Sequence, residues 1–413
     1  MYKQIKKCRI CNNSTLEPIL DLGEQMLTGV FSPPNQVENK ITSGPLRLVK
    51  CFGPDVCGLV QLEHSYDLNE MYGDSYGYRS GLNKSMVNHL HAKVVRLQKF
   101  VDIKPGDLII DIGSNDSTTL QAYESTGFDL VGIDPTANKF QEYYPSHIAF
   151  IPDFFSAQLI RNKFGEKKAR VITSFSMFYD LESPLDFMHE VFDVLAEDGI
   201  WVFEQSYMPT MLATNSFDTV CHEHLEFYAL KQMQYMAERV GFHILDVEFN
   251  DINGGSFSII VRKKRNEDLM IPQVRSILER EKQDGFDGLI PFKVFEQKTK
   301  TAKTNLIDFV SRVKAQGKKV SALGASTKGN VLLQYCGFTA EDINYVGEVN
   351  ADKFGCCTPG TNIPIIPEDE LLAMDPDFLI VLPWHFRSFF ITNPKYSGHK
   401  LVFPLPTIEI FGQ

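Results

Sequence analysis

A chain of 413 residues is too long for one ordinary domain and predicts two or three. Hydrophobic residues make up 43% of it and the net charge is −11, which fits a soluble globular protein and argues against a nucleic-acid-binding surface as its main business. The opening MYKQIKKCRICNN has no apolar stretch behind its basic residues, and the longest apolar runs, such as FLIVLPW, are too short to span a bilayer, so a cytoplasmic protein with no nucleic-acid or membrane partner is expected.

Four of the eight cysteines fall in the first 57 residues. Cys8 and Cys11 form C-x2-C, and Cys51 and Cys57 form C-x5-C around the turn sequence FGPD, between the beta-prone runs LRLVK and GLVQLEH. In a reducing compartment such pairs point to metal. Four thiolates would hold a structural zinc ion and leave no open position for catalysis. A tyrosine- and glycine-rich stretch follows, with Tyr76 and Tyr78 in it, and then a helix through VNHLHAKVVRLQKFV. From residue 104 strands alternate with helices: DLIIDIGSND, the helix STTLQAYESTG, FDLVGID, ARVITSFS, the helix DFMHEVFDVLAEDG, IWVFEQS, the helix MQYMAERVG, and the strands FHILDVEFN and GGSFSIIVRK. This alternation predicts an α/β fold with a parallel, doubly wound sheet and an antiparallel edge. Residues 266–299 read as a charged connector. A long helix then leads into a second, smaller Rossmann-like α/β unit, with KVSALGAS, TKGNVLLQYCG, INYVGEV and FLIVLPW in turn. The expected divisions are 1–70, 71–265, 266–299 and 300–413.

Three stretches carry chemistry. In DIGSNDS the turn at Gly113 lets backbone approach a ligand, and Asp134 ends the next strand where ribose hydroxyls would meet it. The motif departs from G-x-G-x-x-G, with Ser114 and Asn115 after Gly113, and Asp116 would repel a pyrophosphate. Asp111 could instead hold an ammonium group. S-Adenosylmethionine is therefore favoured over NAD. In GASTKGN a strand meets a helix N-terminus beside Lys328, a setting for a diphosphate. In DTVCHEHLEFY, residues 218–228, the H-E-H spacing does not suit a helical metal site, since residues two apart diverge by about 200°. Acid–base work by His224 and Glu223 is the better reading, a polar loop the alternative.

C-x2-C, DIGSND, CHEH, GASTKGN, PGTNIPI and LPW occur in that order over essentially the whole chain. The set resembles the nucleotide-sugar C-methyltransferases, the family of the TDP-linked 3-C-methyltransferases of deoxysugar pathways. The resemblance implies a zinc-binding N-terminal domain, a class I S-adenosylmethionine domain and a C-terminal Rossmann-like domain. It implies methylation at C3 of a nucleoside-diphosphate-4-keto-deoxysugar through an enolate. His224 would be the base, supported by Glu223. Tyr76 or Tyr78 would approach sugar or cofactor. Lys328 and Asn330 would contact the diphosphate, and Glu204 and Asn253 would line the sugar pocket. Cys221, Ser117 and Met177 depart from the family pattern. Cys221 would contact the substrate but replaces a tyrosine, so the residue that steadies the enolate is left open, with Tyr179 as the candidate replacement. A monomer or weak dimer is expected. The competing readings are an NAD(P)-dependent keto-sugar reductase, against which the missing glycine pattern speaks, and a non-catalytic zinc scaffold.

Overall fold

The structure, a computed structural model, describes residues 2–31, 41–71, 78–124, 127–136 and 138–412; Tyr76 lies outside the described residues. Among the described residues, strands form three sheets of four, seven and six strands and one further two-stranded pair. No helix among the described residues is long and apolar enough to cross a membrane.

The four-stranded sheet holds Leu16–Met26, Ser43–Cys51, Val60–Leu62 and Glu226–Phe227 side by side. Its last strand comes from far along the chain, with Glu226 opposite Gln61 and Phe227 opposite Val60. At one end sit the four cysteines. Their turns need left-handed backbone, supplied by Asn12 (φ 58°), Asp55 (φ 55°) and Gly58 (φ 74°), the residue types that tolerate it best. The four Sγ atoms lie within 4.8 Å of one another, with Cys8–Cys57 at 3.4 Å and Cys11–Cys51 at 3.5 Å. Four thiolates on a tetrahedral zinc ion with bonds of about 2.3 Å sit about 3.8 Å apart. The donor set fits a structural zinc ion. The amide of Asn13 also donates to Cys51 Sγ at 3.3 Å, as a thiolate would favour.

The seven-stranded sheet carries, in chain order, Leu108–Ile112, Asp129–Ile133, Ile148–Ile151, Ala169–Phe175, Leu195–Ser206, Phe242–Asn250 and Ser256–Lys263. Numbered one to seven, they stand in the order 3-2-1-4-5-7-6, and only the seventh runs against its neighbours. The first strand, LIIDI, is buried throughout because both faces are covered. Two features depart from expectation. IAFI forms a strand that the turn-rich sequence around it hides. In place of the helix expected over STTLQAYESTG, the described residues 117–124 hold one short turn, Leu120–Ala122. Ser117 there has φ 65°, and Asp116 Oδ1 takes both the N–H and the hydroxyl of Thr118, so side chains compete for the bonds a helix would make.

The six-stranded sheet carries Val320–Leu323, Val346–Glu348, Ile365–Pro367, Phe378–Val381, Leu401–Phe403 and Glu409–Phe411 in the order 3-2-1-4-5-6. Its first five strands are parallel, the doubly wound arrangement expected for the second unit. The connector is less plain than its composition suggests. It contains the helix Pro272–Gln283, whose Glu281 accepts the N–H groups of Leu230 and Lys231 and so caps the helix Leu230–Val240. The helix Ile290–Ala315 crosses residue 300, the expected start of the last unit.

The N-terminal sheet shares its core with the C-terminal sheet. Leu46, Leu48 and Leu62 join Phe292 and Phe295 of the long helix and Val320 of the second doubly wound sheet in one cluster. Metal removal is therefore predicted to loosen more than the cysteine turns. Stripping zinc with a chelator, or replacing Cys57 with Ser, should lower Tm by on the order of 10 °C and reduce bound zinc below one per chain by elemental analysis.

Candidate active site

DTVCHEHLEFY leaves the turn Phe217–Thr219 and ends in the strand Glu226–Phe227, so it is held at both ends. Asp218 accepts the Trp384 indole N–H at 2.8 Å, which ties the turn to the C-terminal unit. Thr219 O accepts the Nδ1–H of His224 at 2.9 Å. That bond fixes the tautomer, because a carbonyl can only accept, and leaves Nε2 with the lone pair. Burial, with Lys328 nearby, lowers the His224 pKa to about 3, so the ring is neutral. The Tyr179 ring lies against it with centroids 4.3 Å apart. Burial raises the Glu223 carboxyl to about 7, against the pull of the Cys221 thiol and Lys353. His222 points the other way. It is buried under Tyr66, with ring centroids 4.6 Å apart, and is kept neutral by desolvation.

Glu223 and His224 line a cavity of about 310 Å³ to which every unit contributes. Gly29 and Phe31 come from the N-terminal unit, Ser176 and Tyr179 from the loop after the fourth strand of the seven-stranded sheet, and Lys328, Lys353 and His385 from the C-terminal unit. Gly29 packs on Glu223 so closely that a Cβ there would stand 2.0 Å from Glu223 Oε1. Lys328 Nζ donates to Asn253 O at 2.6 Å and Lys353 Nζ to Ala325 O at 2.8 Å. Burial lowers both lysine pKa values. Asn253 stands at φ 56° and reaches Ser176 Oγ with its amide inside the seven-stranded unit, while its carbonyl, held by Lys328, joins the two doubly wound units.

A second cavity of about 100 Å³ adjoins the first, and Tyr78, Met86, Ser176 and Asp180 line both. Its own walls include Asp111, Gly113, Asn115 and Asp134. Gly113 has φ 74°, and a Cβ there would meet Met177 at 3.0 Å, so only glycine lets the strand end turn at this point. Burial raises the Asp111 carboxyl to about 7, although Thr173 Oγ1 donates to it at 2.5 Å. Asp134 accepts the Asn115 N–H at 2.9 Å and the Thr136 N–H at 2.7 Å, and a carboxylate retains further lone pairs beyond these. Asn115 accepts the Ser80 N–H at 3.0 Å and donates to Tyr78 O at 3.2 Å, which folds the segment before the helix Lys84–Leu97 over the turn. A buried acid able to face a cation, a second acid at the next strand end and a glycine at the turn fit the donor needs of S-adenosylmethionine.

The structure thus gathers Glu223, His224, Tyr78, Lys328 and Asn253 around one cavity, and Asp111, Gly113, Asn115 and Asp134 around its neighbour. Three expected residues stand behind the walls. Glu204 is 2% exposed and accepts from His89 at 2.6 Å, Lys93 at 2.8 Å and Asn250 at 2.7 Å. Asn330 is fully buried and donates to Thr28 O at 2.7 Å. Cys221 is fully buried and lies under Glu223, its Sγ 3.8 Å from Oε2. Lys353, His385 and Phe386 line the cavity but were not singled out from the sequence. A usable signal existed: they follow the second and fourth strands of a doubly wound sheet, the carboxyl ends where such folds bind ligands.

Three protein families match the chain in succession: "Putative zinc binding domain" over residues 8–72, "Methyltransferase domain" over 87–247 and "C-methyltransferase C-terminal domain" over 251–406. C-methyltransferase NovU of Streptomyces niveus is 26% identical over 412 residues, spanning 98% of this chain and 97% of its own. Among solved structures, the CcbJ methyltransferase of Streptomyces caelestis overlaps 43% of this chain and 90% of its own at 10% identity and a TM-score of 0.34. The CurJ carbon methyltransferase overlaps 45% of this chain and 57% of its own at 12% identity and a TM-score of 0.33. With a four-thiol zinc site at its N-terminus, a methyltransferase domain behind it and the C-methyltransferase C-terminal domain completing the cleft, the chain belongs to the S-adenosylmethionine-dependent C-methyltransferases.

Proposed function

We propose that the protein methylates C3 of a nucleoside-diphosphate-4-keto-deoxysugar by way of an enolate. The observation that carries this reading is the junction of two cavities. One is walled by the acids Asp111 and Asp134, the other by two lysines and the Glu223–His224 pair, and Ser176 and Tyr78 belong to both. In this reading Asp111 holds the cofactor's ammonium, Asp134 its ribose hydroxyls, and Gly113 the close backbone approach. When bound, S-adenosylmethionine supplies an electrophilic methyl group on a sulfonium.

Lys328, Lys353 and the first-turn N–H groups of the helix Thr327–Cys336 suit a diphosphate. Asn330 then acts at one remove. It pins the N-terminal segment at Thr28, next to Gly29 in the cavity wall. Glu204 likewise fixes the helix Lys84–Leu97, which carries Met86 at the junction. A bound diphosphate would offset the positive charge of Lys328, one of the two influences that depress His224, and so restore basicity to Nε2. His224 Nε2 takes the C3 proton, made acidic by the C4 ketone. Glu223, once ionised, raises the basicity of the neighbouring imidazole and can hold a sugar hydroxyl.

Mass spectrometry of reactions with a panel of nucleoside-diphosphate-4-keto-deoxysugars and S-adenosylmethionine should show a product heavier by one methyl; no methylated product from any member would sink the substrate assignment. His224→Ala should slow solvent deuterium entry at C3 by about 10²–10⁴-fold. At saturating cofactor, kcat/KM for the sugar should rise with pH through about 7 as Glu223 ionises, and Glu223→Gln should abolish that limb. Cofactor binding by calorimetry should tighten as pH rises through about 7, because Asp111 is largely protonated below it. Asp111→Asn should weaken binding roughly 10–100-fold and remove the pH dependence.

A further inference from the structure

An enolate needs a hydrogen-bond donor at its oxygen as well as a base at the carbon, and Cys221 cannot supply one to the cavity. Its thiol is fully buried beneath Glu223 and outside the cavity wall. We propose that the Tyr179 hydroxyl donates the hydrogen bond that stabilises the enolate oxygen during proton removal by His224, an assignment that rests on the keto-sugar reading above.

Four observations converge on Tyr179. It lines the larger cavity while being only 7% exposed, so its hydroxyl works in a nearly dry setting, where a fixed donor acts most strongly on developing charge. Its ring lies against that of His224, with centroids 4.3 Å apart, and both residues line the same cavity. Its hydroxyl feels the Ser176 side chain, which belongs to both cavities, and this sets the phenol near the junction where donor and acceptor of the methyl group must meet. Its local backbone is anchored too: Ser176 at φ 54° accepts the Asn253 amide on Oγ and donates its own N–H to Glu204 O at 2.8 Å, which fixes the start of the turn Phe178–Asp180. Burial beside Asp180 also raises the phenol pKa well above 10, which keeps the O–H in place as a donor across the working pH range.

The step balances without a further reagent. The C3–H bond breaks and its proton goes to His224 Nε2. The electron pair forms the C3–C4 double bond, and the carbonyl pair moves onto the C4 oxygen. The Tyr179 O–H hydrogen-bonds that oxygen and keeps its own proton.

Tyr179→Phe removes the hydroxyl and retains the ring that packs on His224. With wild type and variant assayed side by side on a nucleoside-diphosphate-4-keto-deoxysugar, deuterium entry at C3 without cofactor and methyl transfer with it should both fall about 10²–10³-fold. KM, cofactor affinity by calorimetry and Tm should stay near the wild-type values, which separates loss of the donor from loss of the fold. Ser176→Ala should give a smaller loss in the same two rates. If Tyr179→Phe exchanges and methylates within about 3-fold of wild type, the assignment is overturned while the keto-sugar reading stands. If wild type itself neither exchanges nor methylates any keto-sugar offered, both fall together.

Discussion

The two-residue strand Glu226–Phe227 is the constraint on which the rest depends. It pairs with Val60–Leu62 and so makes the end of the HEH segment an edge of the N-terminal sheet, beside the cysteine cluster. Arg9, in the knuckle between Cys8 and Cys11, reaches across to Leu62 O at 2.7 Å and Ser65 Oγ at 2.8 Å and lies 3.7 Å from the buried carboxyl group of Glu226, which burial pushes toward its neutral form. Gln232, just beyond the strand, donates to Cys57 O at 2.8 Å. The cysteine turns, remote from the cavity, thus help to fix where His224 and Glu223 stand.

The other end of the segment is tied to the C-terminal unit through Asp218 and Trp384. The cleft is therefore assembled from three units that share buried contacts, rather than from one domain with appendages. Asn330 to Thr28 and Lys328 to Asn253 repeat the pattern at the cavity's other walls. Each bond joins units widely separated in sequence, and each lies within two residues of a cavity-lining group. The same enclosure sets the electrostatics. Burial pushes Glu223 and Asp111 up and His224, Lys328 and Lys353 down. Every one of these shifts favours the neutral form, so an ionic ligand would bring the charges back by pairing with them.

Most of the sheet strands were legible because each is a short apolar run bounded by turn residues. IAFI was not, being four residues long with only Ile148 buried. The helix after DIGSNDS failed for a local reason, the competition of Ser, Thr and Asp side chains for backbone bonds. At the site, Asp111, Gly113, Asp134, Glu223, His224 and Lys328 could be found because each sits at a strand end or in a dense polar motif. Lys353 and His385 lie in stretches of ordinary composition, and only the strand order of the last sheet brings them to the cavity. Glu204 and Asn330 show the converse. Their motif positions were plain, but their side chains are turned to His89, Lys93 and Thr28, partners that no spacing rule could name.

By itself the sequence determined the two doubly wound units, the four-cysteine site, the glycine turn at the smaller cavity and the polar segment that lines the larger one. All of these are written in local spacing, alternation and residue type. What only the tertiary structure decided is which side chains of that segment face the cleft. His222 and His224 are two residues apart, and an extended chain would put them on one side. The turn closed by the His224 N–H to Cys221 O separates them, sending His222 under Tyr66 in the zinc-bearing sheet and His224 against Tyr179 in the cavity. That turn is set by what grips its two ends, Trp384 on one side and the Val60–Leu62 strand on the other, and both lie more than a hundred residues away.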